Sequence, residues 1–372
     1  MRVLYVSKAM IAAAYRDKLR ALAGHVELRA LVPERWGRQR VDPPVAGEEW
    51  LRTAPARAHG HNHFHVYRGV RRILRESEFD LVHVDEEPYS AVTAQLARHC
   101  RSVRRPFVFF AWQNLPKRIP APFRALRGYV FARAAGGIAG TDAAAAVLRG
   151  WGFAGPLAVI PQMGFDASRF RPDSAARAAT REALGMRDTD FVVGFAGRLV
   201  REKGPHVLLE AFAALAEARL LLIGAGPERN PVLRAAARAG IADRVHLAGE
   251  VASPAMPGLL TACDVVVLPS LTARNWAEQF GRVLVEAMAC GVAVVGSDSG
   301  EIPAVIGDAG IITPEGDAAA LRAALTHLAS TPGDRAALGE RGRRRALERF
   351  TNAGIAARTA AFYRDIVKGE RR

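Results

Sequence analysis

An α/β fold of two doubly wound parallel-sheet domains facing across a cleft is predicted by three features of this 372-residue chain. Short apolar runs alternate with helical patterns, which is typical of parallel sheets covered by helices on both faces. The alternation starts afresh near Phe191, after a proline-, glycine- and polar-rich stretch at 161–172. The chain is also longer than one core usually supports. We therefore expect domains at residues 1–165 and 166–352, and a C-terminal helix at about 353–372 with the option of packing back on the first.

The strands of the first domain are predicted from short runs of Val, Leu, Ile and Phe that end at charged residues, glycine or proline. The first run is interrupted by Lys8 and passes into a charged amphipathic helix, so it predicts a strand rather than a signal peptide. The predicted strands are residues 3–6, 26–31, 81–84, 107–110, 137–139 and 158–160.

The second domain repeats the pattern. Its fourth run, Val265–Leu268, is typical of a strand buried on both faces. A helix is predicted from Phe280 to Ala289, because the helical pattern stops at Cys290-Gly291. The predicted strands are residues 191–195, 220–223, 245–247, 265–268 and 293–295.

The basic charge of the chain is concentrated in its first half. The net charge is +15, and twelve of these charges fall in residues 1–170. Basic clusters interleaved with apolar side chains attract an anionic membrane surface or an anionic acceptor, although arginines on solvated helices explain them equally well. No nucleic-acid module is recognisable, so nucleic acid is not an expected partner. The clusters are Arg71, Arg72 and Arg75; Arg101, Arg104 and Arg105; and Lys117, Arg118, Arg124 and Arg127 beside Phe123, Leu126, Tyr129, Val130 and Phe131.

Cysteine content and hydropathy predict the compartment. The three cysteines have no metal-ligand spacing and indicate a reducing environment. No stretch approaches the roughly 20 uninterrupted apolar residues of a membrane span. We expect a cytoplasmic protein, with a peripheral position at the inner membrane face as an option.

A pair of glutamates, Glu278 and Glu286, is the most informative spacing in the chain. At ~1.5 Å rise per helical residue their Cα atoms would lie about 12 Å apart, roughly the reach of a sugar, a diphosphate and a ribose. A helix N-terminus favours phosphate, and carboxylates on either side accept hydrogen bonds from hydroxyls. Two glutamates at this spacing also occur on solvated helices. Their place between a strand and a glycine break predicts instead a ligand site at the edge of a parallel sheet.

Four motifs in order carry a resemblance to a known family. They are Gly194-Phe-Ala-Gly-Arg-Leu-Val-Arg-Glu-Lys-Gly204, Leu222-Ile-Gly-Ala-Gly-Pro227, Pro269-Ser270 and the Glu278/Glu286 pair. Together they resemble the C-terminal domain of the family 4 retaining glycosyltransferases of the GT-B fold, whose two domains are Rossmann-like. The resemblance implies transfer of a sugar from a nucleoside-diphosphate sugar to a hydroxyl acceptor, with no metal or other cofactor. A lipid-linked or cell-envelope glycan precursor is one candidate acceptor.

The resemblance also implies roles for individual residues. Arg198 and Lys203 would bind the donor diphosphate, next to Gly197, and would stabilise the negative charge that develops on the leaving group. Glu278 would hold hydroxyls of the transferred sugar, and Glu286 the ribose hydroxyls. Backbone atoms would supply the remaining contacts. Such contacts do not specify the identity of the base, so UDP and GDP donors are both compatible with the sequence. These backbone contacts are Phe280 and Gly281 at the sugar or diphosphate, and Gly249, Glu250 and Val251 at the base.

The first domain departs from the family pattern. In the family, the loop after the first strand is usually rich in glycine and lets the backbone approach the phosphate; here residues 8–14 replace it, and Lys8 is a substitute for that contact. The family also usually has a histidine after the strand that corresponds to 107–110, where this chain has Trp112-Gln113-Asn114. Gln113 or Asn114 would orient hydroxyls of the sugar or acceptor. Asp85-Glu86-Glu87 follows strand 81–84, and Glu87 is favoured as base or hydroxyl anchor, although a loop that caps the next helix is as good a reading.

Four histidines, His59, His61, His63 and His65, alternate along the chain. An extended segment would present all four on one face. Adjacent imidazoles on one strand cannot surround a tetrahedral ion, so contact with the acceptor, through His63, is preferred to a metal site.

Two other functions remain open at this point. The intact Arg198, Lys203, Glu278 and Glu286 favour a transferase, whereas the missing histidine is compatible with a non-catalytic donor-binding or regulatory protein. A nucleotide-sugar epimerase on the same fold is the third reading, and it would work without an acceptor.

Overall fold

A computed structural model of the protein describes residues 1–76 and 78–370. The chain divides into two compact units. We call Met1–Met163 together with the chain from Asn352 onward the N-terminal unit, and Gly164–Thr351 the C-terminal unit. Each unit is built on one parallel sheet with helices around it, which confirms the predicted fold class.

Seven parallel strands form the N-terminal sheet within the described residues, in the order β7-β6-β5-β4-β1-β2-β3. The chain leaves β1 toward β2 on one side and later returns to β4 on the other. The sheet therefore has its topological switch point between β1 and β4. The strands are β1 Arg2–Val6, β2 Glu27–Pro33, β3 Leu51–Ala54, β4 Leu81–Val84, β5 Phe107–Ala111, β6 Gly136–Ala139 and β7 Leu157–Val159.

The C-terminal sheet has six parallel strands over the part of the chain that is described, in the order β10-β9-β8-β11-β12-β13. Its switch point lies between β8 and β11, where Val193 pairs with Val265. The strands are β8 Phe191–Ala196, β9 Ala218–Ile223, β10 Val245–Gly249, β11 Val265–Leu268, β12 Ala293–Ser297 and β13 Ile311–Thr313.

Every predicted strand is present, with ends that differ by no more than two residues. Two antiparallel pairs of two-residue strands, Arg35–Trp36 with Gln39–Arg40 and Ala56–Arg57 with Val66–Tyr67, were not predicted. Nor were β3 and β13, which are both edge strands of the parallel sheets. In β3 the middle residues Arg52 and Thr53 are exposed, and β13 is only three residues long. Edge strands of this kind lack the continuous apolar run that marks a strand buried on both faces.

Helices connect the strands in both units. Those of the N-terminal unit are α1 Asp17–Ala23, α2 Val70–Glu76, α3 Ala91–Ser102, α4 Ala121–Phe131 and α5 Asp142–Gly150. Those of the C-terminal unit are α6 Ser174–Ala183, α7 Pro205–Ala213, α8 Arg229–Arg238, α9 Met256–Ala262, α10 Arg282–Ala289, α11 Ile302–Ile306, α12 Ala318–Ser330 and α13 Pro332–Arg349. The last helix, α14 Asn352–Glu370, belongs to the N-terminal unit.

Helix α10 begins two residues later than predicted. Gly281 precedes it with φ +73°, a left-handed conformation that glycine adopts without strain. Phe280 therefore lies before the helix, and Glu278 lies four residues before its first residue.

Helix α14 packs on the N-terminal sheet. Its apolar residues Ile355, Ala356 and Ala360 join the core formed by β1, β2 and α1. The hydroxyl of Tyr363, which is fully buried, hydrogen-bonds Nδ1 of His83 on β4. The described helices include none with the length and hydropathy needed to cross a membrane.

Candidate functional site

The carboxyl ends of β8 and β11 meet at the switch point of the C-terminal sheet, and the loops that follow them carry the residues singled out from the sequence. The loop after β8 is fastened to the loop after β9: Gly197 N–H donates to Ile223 O at 2.9 Å, and Leu199 N–H to Ala225 O at 2.8 Å. The Leu222–Pro227 motif therefore holds the Gly197–Lys203 segment in place.

Gly204 brings this segment against β11. Its φ is +67°, and a Cβ there would lie 1.9 Å from the carbonyl oxygen of Pro269. Any other residue would have to push the loop away from Pro269 as well as accept left-handed strain. The glycine thus sets the close approach of Lys203 to the strand end that precedes Glu278.

Lys203 and Glu278 form an ion pair between the two loops. The Nζ atom lies 2.5 Å from Oε2, and Glu278 is only 6% exposed. Ser270 Oγ donates to the same carboxylate oxygen at 2.9 Å. A buried carboxylate is tolerated when a cation and a hydrogen-bond donor satisfy it, and here both do.

The backbone around Glu278 is also held. Glu301 N–H donates to its carbonyl oxygen at 2.9 Å, and a Cβ on Gly300, at φ +52°, would lie 2.1 Å from that oxygen. The backbone on both sides of the Gly300–Glu301 bond therefore lies against the Glu278 carbonyl.

Glu286 lies on α10, about one turn beyond its first residue, Arg282. Its Oε1 accepts from Arg282 Nε at 2.7 Å, and the residue is 6% exposed. Burial raises the pKa of the Glu286 carboxyl, and the Arg282 guanidinium opposes that rise. The structure therefore places both glutamates in buried positions, each against a cation.

Four other predicted donor contacts differ in exposure. Arg198 is exposed after β8, and Val251 is partly buried two residues beyond β10. The Phe280 ring is buried and packs on Phe350 at 5.6 Å between centroids, so the ring itself is not exposed to a ligand. Gly281 is the N-cap of α10.

Sequence reasoning did not identify Trp276 and Ser270 as site residues. The Lys203 ammonium lies 5.3 Å from the centre of the Trp276 ring. Both residues lie in the segment between β11 and Glu278, so their position in the sequence was enough to predict that they are near the site. The direction in which their side chains point depends on the fold and was not predictable from the sequence.

The switch point of the N-terminal sheet carries a similar arrangement. Lys8 follows β1 and forms an ion pair with Glu86, which follows β4; the Lys8 backbone N–H also donates to Glu86 Oε1 at 3.1 Å. The Lys8 ammonium lies 5.7 Å from the centre of the Trp36 ring. In each unit, then, a lysine after the first strand is held by a glutamate and faces a tryptophan ring.

Glu87 has an unusual environment. Its Oε1 accepts from the backbone N–H groups of Trp112 and Gln113 at 2.8 and 3.1 Å, whereas its buried Oε2 has no hydrogen-bond partner among the described residues. Burial raises the pKa of Glu87 to about 7, against the opposing effect of Lys8 and Lys117. The side chain does not cap α3, so the capping interpretation is wrong for Glu87.

The neighbouring polar residues are mostly committed to other contacts. Asp85 accepts from Ser7 Oγ at 2.7 Å and Gln162 Nε2 at 2.8 Å, and Gln113 Nε2 donates to Leu115 O at 2.8 Å. Asn114 is buried in the same loop as Gln113. Ser7 and Gln162 were not predicted, because only the fold brings residues 77 and 78 positions apart to one carboxylate.

The histidine segment is not extended. Residues 58–64 form turns, and the four side chains differ in exposure: His61 is exposed, His59 and His63 are partly buried, and His65 is buried. The prediction of one shared face is therefore wrong. Burial lowers the pKa of His63, and that of His65 to about 4, so both rings are neutral near pH 7. The His63 ring packs 5.0 Å from that of Tyr89.

No group of three or more His, Cys, Asp or Glu side chains in residues 1–76 and 78–370 is placed to hold a metal ion.

Two family models match the chain. "Glycosyl transferases group 1" matches residues 176–345, and "Glycosyl transferase 4-like domain" matches residues 11–162. The first match contains β8 to β13 and the Lys203–Glu278 pair. The second match contains strands β2 to β7 of the N-terminal sheet and begins after β1 and Lys8.

Individual proteins are similar as well. The chain is 34% identical to the GDP-mannose-dependent alpha-(1-6)-phosphatidylinositol monomannoside mannosyltransferase of Mycolicibacterium smegmatis, over 53% of this chain and 54% of that protein. It is 31% identical to the D-inositol 3-phosphate glycosyltransferase of Segniliparus rotundus, over 68% of this chain and 57% of that protein. The chain thus spans about half the length of these curated relatives.

The fold is similar to that of solved structures. The crystal structure of Anabaena Alr3699/HepE in complex with UDP matches 98% of this chain and 100% of that chain, with a TM-score of 0.78 and 22% sequence identity.

Proposed function

The chain belongs to the glycosyl transferases group 1 family, and we propose that it is a retaining glycosyltransferase that moves a sugar from a nucleoside-diphosphate sugar to a hydroxyl acceptor without a metal cofactor. The observation that carries the proposal is the Lys203–Glu278 pair at the switch point of the C-terminal sheet. It puts a cation for phosphate and a hydroxyl acceptor side by side where parallel sheets bind ligands.

The C-terminal unit binds the donor in this proposal. Lys203 and Arg198 hold the diphosphate, Glu278 accepts hydrogen bonds from hydroxyls of the transferred sugar, and Glu286 accepts them from the ribose. As the leaving nucleoside diphosphate gains negative charge, cations already in position lower the barrier without reorganising. They provide the charge that a divalent cation would otherwise supply.

Backbone groups complete the donor site. The N–H groups of Phe280 and Gly281 lie at the start of α10, whose N-terminus favours phosphate. Gly197 allows the chain to approach the diphosphate, and Val251 lines the base pocket at the end of β10. The proposal covers uridine and guanosine donors, since the HepE structure is a complex with UDP and the Mycolicibacterium relative is named as GDP-mannose-dependent.

The chemical step is front-face transfer. The bond between the anomeric carbon and the β-phosphate oxygen breaks, the acceptor oxygen forms the new bond on the same face, and the acceptor proton passes to the departing phosphate. Glu87 binds the acceptor hydroxyl through its Oε2 as an anchor; where it acts as base instead, it takes the acceptor proton in place of the departing phosphate. Lys8, Glu86, His63, Gln113 and Asn114 surround the acceptor on the N-terminal unit.

The acceptor is proposed to be presented at an anionic membrane surface. Of the residues of α4, only Val130 is buried, while Arg124 is exposed and Phe123 lies 5.2 Å from the 60%-exposed Phe64 ring. Basic side chains beside exposed aromatic rings suit the headgroup region of an anionic bilayer. A lipid-linked or cell-envelope precursor fits this surface, and a cytoplasmic, peripheral location follows from it.

A thermal-shift panel of nucleoside diphosphates and nucleotide sugars tests the donor assignment. Binding to the folded state stabilises it by mass action, about 2.7 kcal/mol at 100 times Kd. We expect UDP or GDP, with the matching sugar, to raise the melting temperature, and 2′-deoxyribose analogues to do so less because Glu286 loses a partner. If no nucleoside diphosphate shifts the melting temperature at millimolar concentration, the proposal fails.

Product analysis then separates the three functions. A transferase consumes the donor sugar in proportion to an added hydroxyl acceptor and keeps its anomeric configuration. An epimerase converts the donor sugar without acceptor, and a regulatory protein binds the donor without turnover. Either of these two outcomes would replace the transferase assignment.

A further inference from the structure

Trp276 is held in a short hairpin directly beside the donor residues. Ala273 N–H donates to Trp276 O at 2.7 Å, and Trp276 N–H donates back to Ala273 O at 3.2 Å. Thr272, at the base of the hairpin, hydrogen-bonds Glu315 at 2.5 Å and Ser299 at 3.0 Å through its hydroxyl. The backbone of this segment is therefore anchored to the residues that follow β12 and β13.

The ring faces a cation rather than only apolar neighbours. The Lys203 ammonium lies 5.3 Å from the ring centre, within the range of a cation–π contact, and 2.5 Å from Glu278. A lysine side chain has four rotatable bonds and about 2 kcal/mol of rotamer entropy to lose when it is fixed. Because the side chain already has two partners in the free protein, less of this entropy remains to be lost when a ligand binds.

Glu278 and the Trp276 ring would respond differently to a diphosphate that binds at Lys203. A phosphate oxygen competes with the Glu278 carboxylate for the same ammonium protons, whereas a ring face is not displaced by an anion. The indole is thus the contact that Lys203 keeps while it exchanges Glu278 for phosphate.

We propose that Trp276 is a positioning residue that holds the Lys203 ammonium at the place where the donor diphosphate binds. This inference rests on the proposed donor role of Lys203. The comparable contact of Lys8 with Trp36, at 5.7 Å in the N-terminal unit, shows that the same lysine–tryptophan geometry is used elsewhere in this chain. It also supplies a matched control.

A double-mutant cycle tests the inference by calorimetric titration with UDP and GDP. W276A is expected to weaken nucleoside diphosphate binding by roughly 3- to 30-fold, and W276F less, because a benzene ring retains part of the attraction. In a K203M background, W276A is expected to change the affinity less than about 2-fold, since the ammonium it acts through is gone. W36F, the control, is expected to leave nucleotide affinity unchanged.

Two results would overturn the inference. An equal loss from W276A with and without Lys203 would mean that Trp276 contacts the ligand directly or supports the fold. Unchanged binding in W276A, with K203M still impaired, would refute the role of Trp276 and leave the proposed function standing. If the wild-type protein binds no nucleoside diphosphate, the proposed function fails and this inference with it.

Fluorescence gives a second readout that does not depend on turnover. Trp276 is the only tryptophan between residues 164 and 351. Because its ring faces the ammonium that moves onto phosphate, nucleotide titration is expected to change the tryptophan emission of wild type and W36F, and not that of W276F. A titration signal that survives in W276F would contradict the proposed geometry.

Discussion

The ammonium of Lys203 lies 2.5 Å from the carboxylate of Glu278, although the residues are 75 positions apart. The pair joins the loops after β8 and β11, the two strands at the switch point. A buried charge is costly without a partner. A bound diphosphate would replace the carboxylate at Lys203 and so release Glu278 to accept hydrogen bonds from sugar hydroxyls, which couples the two halves of donor binding.

Lys203→Met is expected to weaken nucleoside diphosphate binding about 10- to 100-fold, the usual range for a hydrogen bond to a charged group. The melting temperature should also fall, because Glu278 loses its counter-charge. Arg201→Met is the matched control, since Arg201 is an exposed cation in the same turn. Calorimetric titration checks both variants, and equal affinities in the two would contradict the role of Lys203.

Gly204→Ala is expected to damage the donor site through the backbone. The new Cβ would meet the Pro269 carbonyl and impose left-handed strain of ~1–2 kcal/mol. Gly185→Ala isolates the strain, because Gly185 has φ +64° and nothing within 4 Å of an added Cβ. We expect the control to lower the melting temperature by roughly 2–8 °C and to keep nucleotide binding. Gly204→Ala should lower it further and lose binding; similar behaviour of the two variants would show that the close approach is unimportant.

Glu87 should set a pH dependence near neutrality. Its pKa is raised to about 7, and the ionised carboxylate is both the stronger hydrogen-bond acceptor for the hydroxyl and the form able to act as base. We expect kcat/KM to rise with pH through about 7 in the wild type, and Glu87→Gln to be slow and to lack this rise. A rise of the same shape in Glu87→Gln would assign the titration to another group.

The raised pKa of Glu87 also predicts that stability falls with rising pH, whereas kcat/KM rises. A carboxyl whose pKa is higher in the folded state than in the unfolded chain favours folding at low pH, and this contribution disappears as the pH rises through about 7. Glu87→Gln should therefore be stabilised relative to the wild type more at about pH 8.5 than at about pH 5. Thermal melts at the two pH values check this sign.

Exposed arginines of the N-terminal unit should bind anionic vesicles. Arg118 and Arg124 lie just before and within α4. Each basic residue near such a surface contributes about 1 kcal/mol, so the double reversal to glutamate should reduce co-sedimentation at least roughly 10-fold. The same reversal at Arg322 and Arg344, exposed on α12 and α13, is the control. Binding that is indifferent to salt and to lipid charge would remove the membrane surface from the proposal.

The order of apolar runs predicted the fold class, and the four motifs of the second domain indicated the family; the family matches and the similar solved structures confirm both. Central strands of a parallel sheet are buried on both faces, so the apolar run Val265–Leu268 predicts a strand without any tertiary information. The glycines and charged residues of the motif loops were also recognisable from the sequence, because a close backbone approach requires glycine and a fixed cation requires lysine or arginine.

Only the tertiary structure decided how those residues are combined. Three features depend on loops from separate strands, so no local pattern encodes them: the Lys203–Glu278 pair, the Trp276 ring near Lys203, and a Glu87 Oε2 with no hydrogen-bond partner in the part of the chain that is described. The histidine segment shows the same limit: its alternation suits a strand, but the segment forms turns in which His63 packs on Tyr89 and His65 on Trp36. Sequence specifies which groups are available, whereas contacts between distant segments set their pKa values, partners and exposure.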